Sequence, residues 1–211
     1  MRSKATFFKL YEENPEQNKI DKIVDILRND GVIIYPTDTV YGMGCSIMSR
    51  SAIDKVARFK GIKPGKERFS LIFSSLSQIS EYAKNIHTPM FKVMKKALPG
   101  PYTFILHSSN KLPKLLNSAK KTVGVRVPDH NITRTIVEQL GVPIITTSIR
   151  DEDEIIEYST DPELIYEKFS NMVDAVIDGG YGNNTPSTII DCTGEDFEIL
   201  REGLGEVDAI L

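Results

Sequence analysis

The chain predicts an α/β domain built on a twisted mixed β-sheet flanked by helices, and three observations carry that reading. Apolar residues switch repeatedly between a period near 3.6 and short β-branched runs, the mark of alternating helices and strands. A length of 211 residues suits one such domain spanning 1–211 better than two small ones. The last two strand-like runs are separated only by a short turn around TGED, so part of the sheet must be antiparallel.

The elements follow in order. Ile20, Ile23, Val24 and Leu27 share one helical face, and Gly31 is the expected stop. The run GVIIYP reads as a buried strand because it is short, apolar and β-branched. A helix is expected from Ser51 to Phe59, a strand from Ser70 to Phe73, and helices from Gln78 to Lys84 and from Pro89 to Leu98. Strands come next at Tyr102 to Leu106 and Thr122 to Val127, with a helix from Asn131 to Leu140 leading into the strand VPIITT. A helix from Pro162 to Phe169 precedes the strand DAVID, and TIIDC with FEILR form the closing hairpin.

Composition narrows the function classes. Hydrophobic residues are 40% and charged residues 26%, which excludes a disordered or collagen-like chain. The two cysteines, Cys45 and Cys192, are not matched by histidines at ligand spacing, so neither a zinc site nor a disulfide scaffold is indicated and a reducing, cytoplasmic setting is expected. The first residues turn charged before any apolar run reaches signal-peptide length, and no run approaches the roughly 18 apolar residues of a membrane helix. No membrane association is expected. The net charge of -3 hides an asymmetry: Thr147 onward holds 17 acidic against 3 basic residues, or -14, leaving 23 basic against 12 acidic, or +11, before it. Basic stretches at Lys55–Arg68, Lys92–Lys96 and Lys111–Arg126 would make a basic concave face if folding gathered them. The alternative is that each is a solvated helix or loop surface.

Four strand ends are rich in hydroxyls and glycine, where α/β sheets place their chemistry. In YPTDTVYGMG, Thr37, Asp38 and Thr39 precede Gly42 and Gly44, a loop whose backbone amides suit an anionic or amino-acid ligand. A plain strand-to-helix turn capped by Asp38 is the competing reading. In TVGVRVPDH, period-2 alternation sets Val123, Val125 and Val127 on one face and Gly124 with Arg126 on the other. The guanidinium is then held for a carboxylate or phosphate, or else paired with a C-terminal acid. The strand PIITTSIR ends in Thr146, Thr147, Ser148 and Arg150, and DGGYGNNTPSTIIDCTGEDFEILREGLG combines a glycine and asparagine loop, the hydroxyls Ser187 and Thr188, and Arg201 in the final strand. The three histidines, His87, His107 and His130, give no triad order, and no acid pair suggests glycosidase chemistry.

Taken together, YPTDTVYGMG, LPGPYTFIL, KTVGVRVPDH, PIITTS and DGGYGNNTPSTIIDCTGEDFEILREGLG resemble, in order and spacing, the YrdC-like threonylcarbamoyl-AMP synthase family, in a short form lacking the added C-terminal domain of its extended members. The resemblance implies the YrdC-like fold and an enzyme condensing L-threonine, bicarbonate and MgATP into threonylcarbamoyl-AMP and pyrophosphate, the donor for threonylcarbamoyl modification of tRNA. It implies Mg2+ arriving with ATP as substrate and no tightly bound metal. By position, Thr37, Arg126, Thr146 and Ser187 would hold threonine, and Lys60, Thr122, Ser148 and Arg201 would hold ATP, with Lys60, Arg126 and Ser148 closest to the chemistry.

Two departures place the chain nearest the YciO-like branch of that family. Where the family carries Lys-x-Arg, this sequence has Lys60, Gly61 and Ile62, followed by PGKERF; where it carries Ser-x-Asn, the sequence has Ser148, Ile149 and Arg150. A lost phosphate-facing guanidinium costs on the order of 2 to 4 kcal/mol in the transition state. A slow synthase is therefore expected from Ile62 and Arg150, with Arg150, Lys66 or Arg68 able to replace charge but not position. The alternative reading is a protein that binds double-stranded RNA or tRNA through a basic concave face without synthase activity.

Overall fold

The structure is a computed structural model describing residues 4–61, 69–113, 116, 121–149 and 157–211. Its strands are β1 (Thr6–Lys9), β2 (Val32–Tyr35), β3 (Gly42–Ser46), β4 (Ser70–Ile72), β5 (Ala83–Lys84), β6 (Tyr102–Ser108), β7 (Thr122–Arg126), β8 (Ile144–Ser148), β9 (Ala175–Asp178), β10 (Thr188–Asp191) and β11 (Glu198–Arg201). The helices are α1 (Gln17–Arg28), α2 (Arg50–Phe59), α3 (Leu76–Tyr82), α4 (Thr88–Ala97), α5 (Asn131–Leu140), α6 (Glu157–Thr160) and α7 (Pro162–Phe169). The sheet order is β1-β9-β2-β3-β8-β4-β7-β6-β10-β11, with β5 added to β6. Pairings such as β1–β9 and β4–β7 are parallel while β2–β3 and β10–β11 are antiparallel, so the sheet is mixed and the closing hairpin forms as expected.

Strand alternation divides the core between the two faces. One face carries Val32, Met43, Leu71, Phe104, Val125 and Ile145, and onto it pack α2, α3, α4 and α7 through residues such as Val56, Ile79, Met94 and Ile165. The other carries Ile33, Tyr35, Ile72, Ile144 and Ile177, covered by α1 and α5 through Ile20, Leu27, Ile132 and Ile136. Those two helices cover only part of their face. A cavity opens on the remainder, where the strands present small and polar side chains.

Several expectations are corrected. Gly42 and Gly44 lie not in a loop but within β3, in the middle of the sheet: Met43 and Cys45 enter the core, and the glycines pair with Ser148 and Thr146 on the opposite face. Gly31 is not the left-handed stop of α1, because Asp30 takes the positive φ of 62°. A Cβ at Gly31 would instead overlap Ile26. The helix expected to reach Lys84 ends at Tyr82, and Ala83–Lys84 turns onto the end of β6. Strand β1 and the short helix α6 had no counterpart in the expected elements.

Candidate functional site

The open part of the second face is floored by small residues in register. Gly44, Thr146, Ser70, Gly124 and Ile105 lie side by side across five strands, and Asp191 continues the row on β10. Apart from Ile105 no bulky side chain stands on this row, and the twisted sheet keeps a hollow. A cavity of about 210 Å3 sits over one end of it, lined by Thr37, Lys60, Arg126, Thr146, Ser148, Ser187 and Arg201 among others. A second hollow of about 480 Å3, lined partly by Phe69, Ile105, Leu116, Thr122 and Leu200, adjoins it through Ser70, Thr103 and Ile189. Seven of the eight residues expected from sequence thus share one cavity and the eighth, Thr122, lines its neighbour. Ile62, Lys66, Arg68 and Arg150 lie outside the described residues.

Each side chain has a distinct state. Arg126, buried at the end of β7, donates to the Thr39 hydroxyl at 2.8 Å and forms an ion pair with Asp38, while its Nε has no partner. Asp38 is therefore not a helix cap, and Arg126 pairs with the acid of the YPTDTVYGMG motif rather than a C-terminal one. Thr37 donates to the Val40 carbonyl at 2.8 Å and accepts the Thr39 amide at 3.0 Å, so its hydroxyl braces the loop and presents only acceptor capacity to a ligand. Ser187 sits 2.9 Å from Thr103 Oγ1, and Arg201 clamps the Ser187 carbonyl with Nε at 3.1 Å and one terminal nitrogen at 2.7 Å. Lys60, just after α2, is exposed at the rim, yet desolvation, with the nearby Arg201 guanidinium adding to it, pulls its ammonium pKa below the usual lysine value. A phosphate seated between these two cations would offset the charge of both.

Tyr35, Thr39 and Thr103 were not singled out from sequence, because nothing separates them there from ordinary strand or turn residues. Tyr35 is fully buried and donates to Thr146 Oγ1 at 2.6 Å, and burial raises its pKa so that it remains the donor. Thr146 thus keeps its own O–H to offer into the cavity. Tyr35→Phe is expected to cost about 1 to 2 kcal/mol in urea unfolding and to weaken ligand binding at Thr146; unchanged stability and affinity would show that the bond orients nothing.

Two of the three basic stretches expected to form a concave face, Lys55–Arg68 and Lys111–Arg126, lie partly outside the described residues. Lys92, Lys95 and Lys96 are exposed on α4, whose Met90, Met94 and Ala97 pack on the opposite side of the sheet. Among the described residues, the Lys and Arg side chains lining the inner cavity are Lys60, Arg126 and Arg201.

The pattern of these residues agrees with a family model for Sua5, YciO and YrdC proteins, described as "Telomere recombination", which matches residues 25–203. The chain belongs to the Sua5/YciO/YrdC family. Within it, YciO of Escherichia coli, which carries the description "uncharacterized protein", is 38% identical over 209 residues, 98% of this chain and 100% of that protein. Its crystal structure superposes with a TM-score of 0.89 at 36% identity, again covering 98% and 100% of the two chains. A threonylcarbamoyl-AMP synthase of Pyrococcus abyssi is 28% identical over 94% of this chain and 59% of that protein. The crystal structure of P. abyssi Sua5 complexed with L-threonine superposes with a TM-score of 0.84 at 27% identity, covering 94% of this chain and 58% of that one. The YrdC-like fold follows from these superpositions.

Proposed function

We propose that this family member handles an adenylate in the composite cavity by threonylcarbamoyl-AMP synthase chemistry, with L-threonine, bicarbonate and MgATP as substrates. The observation that carries the reading is the convergence of Thr37, Lys60, Arg126, Thr146, Ser148, Ser187 and Arg201, from distant parts of the chain, on one hollow. The Sua5 relative holding L-threonine supports the amino-acid half of the proposal.

In this reading, Arg126 receives the threonine carboxylate and Thr146 donates to it, while Thr37 and Ser187 accept from the amine and hydroxyl ends. The neutral amine attacks bicarbonate with loss of water, the resulting carbamate oxygen attacks the α-phosphorus of ATP, and pyrophosphate leaves. No protein nucleophile is needed. The residues align the reactants, Lys60 and Arg201 offset the charge on the phosphates, and the Ser148 hydroxyl donates to them. The larger hollow beside Thr122, half apolar in character, suits the nucleoside end.

Calorimetry with ATP and a non-hydrolysable analogue tests the nucleotide half. Saturable binding lost in Arg201→Ala is expected; no binding below about millimolar concentration, the weak end of ordinary affinities, would end the claim.

A further inference from the structure

A second, chemically opposite site lies on the far side of the Asp38–Arg126 pair. Asp38 lines an open hollow of about 580 Å3 together with Glu12, Asp129, His130 and Tyr181. This hollow continues through Glu12, Gly179 and Tyr181 into another of about 490 Å3, lined by Tyr11, Glu13, Asp161 and Glu163. Among the described residues lining this trough, the Lys and Arg side chains reduce to Lys9, whose ammonium stands 4.0 Å from Asp178. The acidic C-terminal half of the sequence and the loop after β1 meet here.

The carboxylates are partly compensated from within the fold. Asp129 faces Arg134 at 3.8 Å, Glu12 accepts the Asn131 amide at 2.9 Å, and Asp38 holds Arg126. Four buried polar atoms here are left without a partner among the described residues: the Nε donors of Arg126 and Arg134, and two atoms of residues that line the trough. The His130 side chain is only 8% exposed, its Nε2 is 3.8 Å from Glu12, and its Nδ1 has no hydrogen-bond partner. Burial lowers the His130 pKa and favours the neutral ring, and in the tautomer that keeps the proton on Nε2, on the Glu12 side, Nδ1 is an acceptor. Asp38 Oδ2 is a second enclosed acceptor without a partner. A ligand that satisfies both must bring N–H or O–H donors, and the surrounding carboxylates favour a positive charge on it.

The trough is long, and its charges are spread along it rather than converging. No group of three His, Cys, Asp or Glu side chains among the described residues could hold one metal ion. Two aromatic rings stand in the lining with unusual exposure, Tyr11 at 61% and Tyr181 at 82%. Phenol faces attract ammonium groups and cover methylenes. We propose that this trough binds a linear polyamine, with a terminal ammonium at Asp38 and His130 and the chain running past Tyr181 toward Glu13 and Glu163. The proposal does not depend on the chemistry of the inner cavity, which meets the trough at Thr37, lining both, and at the Asp38–Arg126 pair.

The test is calorimetry of the full chain with spermidine at about 150 mM salt, where diffuse attraction is screened beyond roughly 8 Å. One-to-one binding is expected, resistant to MgCl2 at matched charge. Asp129→Asn and Tyr181→Ala should each weaken it about three- to fivefold, in line with the loss of one exposed charge contact or one exposed ring contact, while L-threonine binding and the circular-dichroism melting curve stay as in the parent. The absence of saturable heat, displacement by MgCl2 at matched charge, or affinity untouched by both substitutions would each overturn the proposal.

Discussion

Replacing Arg126 with alanine is expected to weaken L-threonine binding at least about 100-fold, near 3 kcal/mol at 1.4 kcal/mol per tenfold change. The guanidinium is buried at the cavity wall and fixed from both sides by Thr39 and Asp38, so it meets a carboxylate without first being ordered. Fold stability should fall as well, by about 3 kcal/mol, because Asp38 would be left enclosed without its counter-charge. Adding Asp38→Asn should return part of the stability and none of the binding, which separates the two roles. Arg126→Lys should fall between, since an ammonium keeps the charge but not the two-pronged geometry. The readouts are calorimetry with L-threonine and urea unfolding. An alanine variant that binds threonine like the parent would remove Arg126 from the site.

Gly44→Ala is expected to cost about 3 kcal/mol or more in urea unfolding. Its Cβ would be driven into the Ile145 carbonyl and against Ile144, and backbone in the middle of a sheet cannot retreat. Gly124→Ala differs instructively. There the Cβ would meet Ser70 Oγ at 2.7 Å, a hydroxyl that can rotate away, so stability should fall by only about 1 kcal/mol. The added methyl would stand on the floor of the larger hollow, however, and nucleotide affinity should drop by more than stability does. Equal and small stability losses at both positions would show that the floor is not closely packed.

Gly42 and Gly44 were misplaced by the sequence, whereas Gly124 was rightly set in its strand. Loops and helix ends favour glycine for its backbone freedom, so YGMG was expected to be a loop. In the fold these glycines are needed for the absence of a side chain, and the alternation with Met43 and Cys45 was the available sign of a strand. Arg126, by contrast, could be placed in advance because Val123, Val125 and Val127 fix the phase of its strand. Strand β1 was harder to foresee: only Phe8 of its four residues is buried, since it is a sheet edge whose pairing with β9 depends on a segment about 170 residues away. The acidic trough could not be read at all, because Glu12, Asp38, Asp129 and Asp161 come together only through the chain's return at β9. Membership of the YrdC-like family, in turn, was legible because its motifs are long and in order, and the fold agrees.

The central claim is that the composite cavity performs adenylate chemistry on an amino acid. Pyrophosphate release with MgATP, bicarbonate and L-threonine, against the same mixture without threonine, tests it most directly. The account predicts a slow release that requires threonine and disappears in Arg126→Ala. Release that is independent of threonine, or none at all from protein shown to bind both ligands, would contradict it.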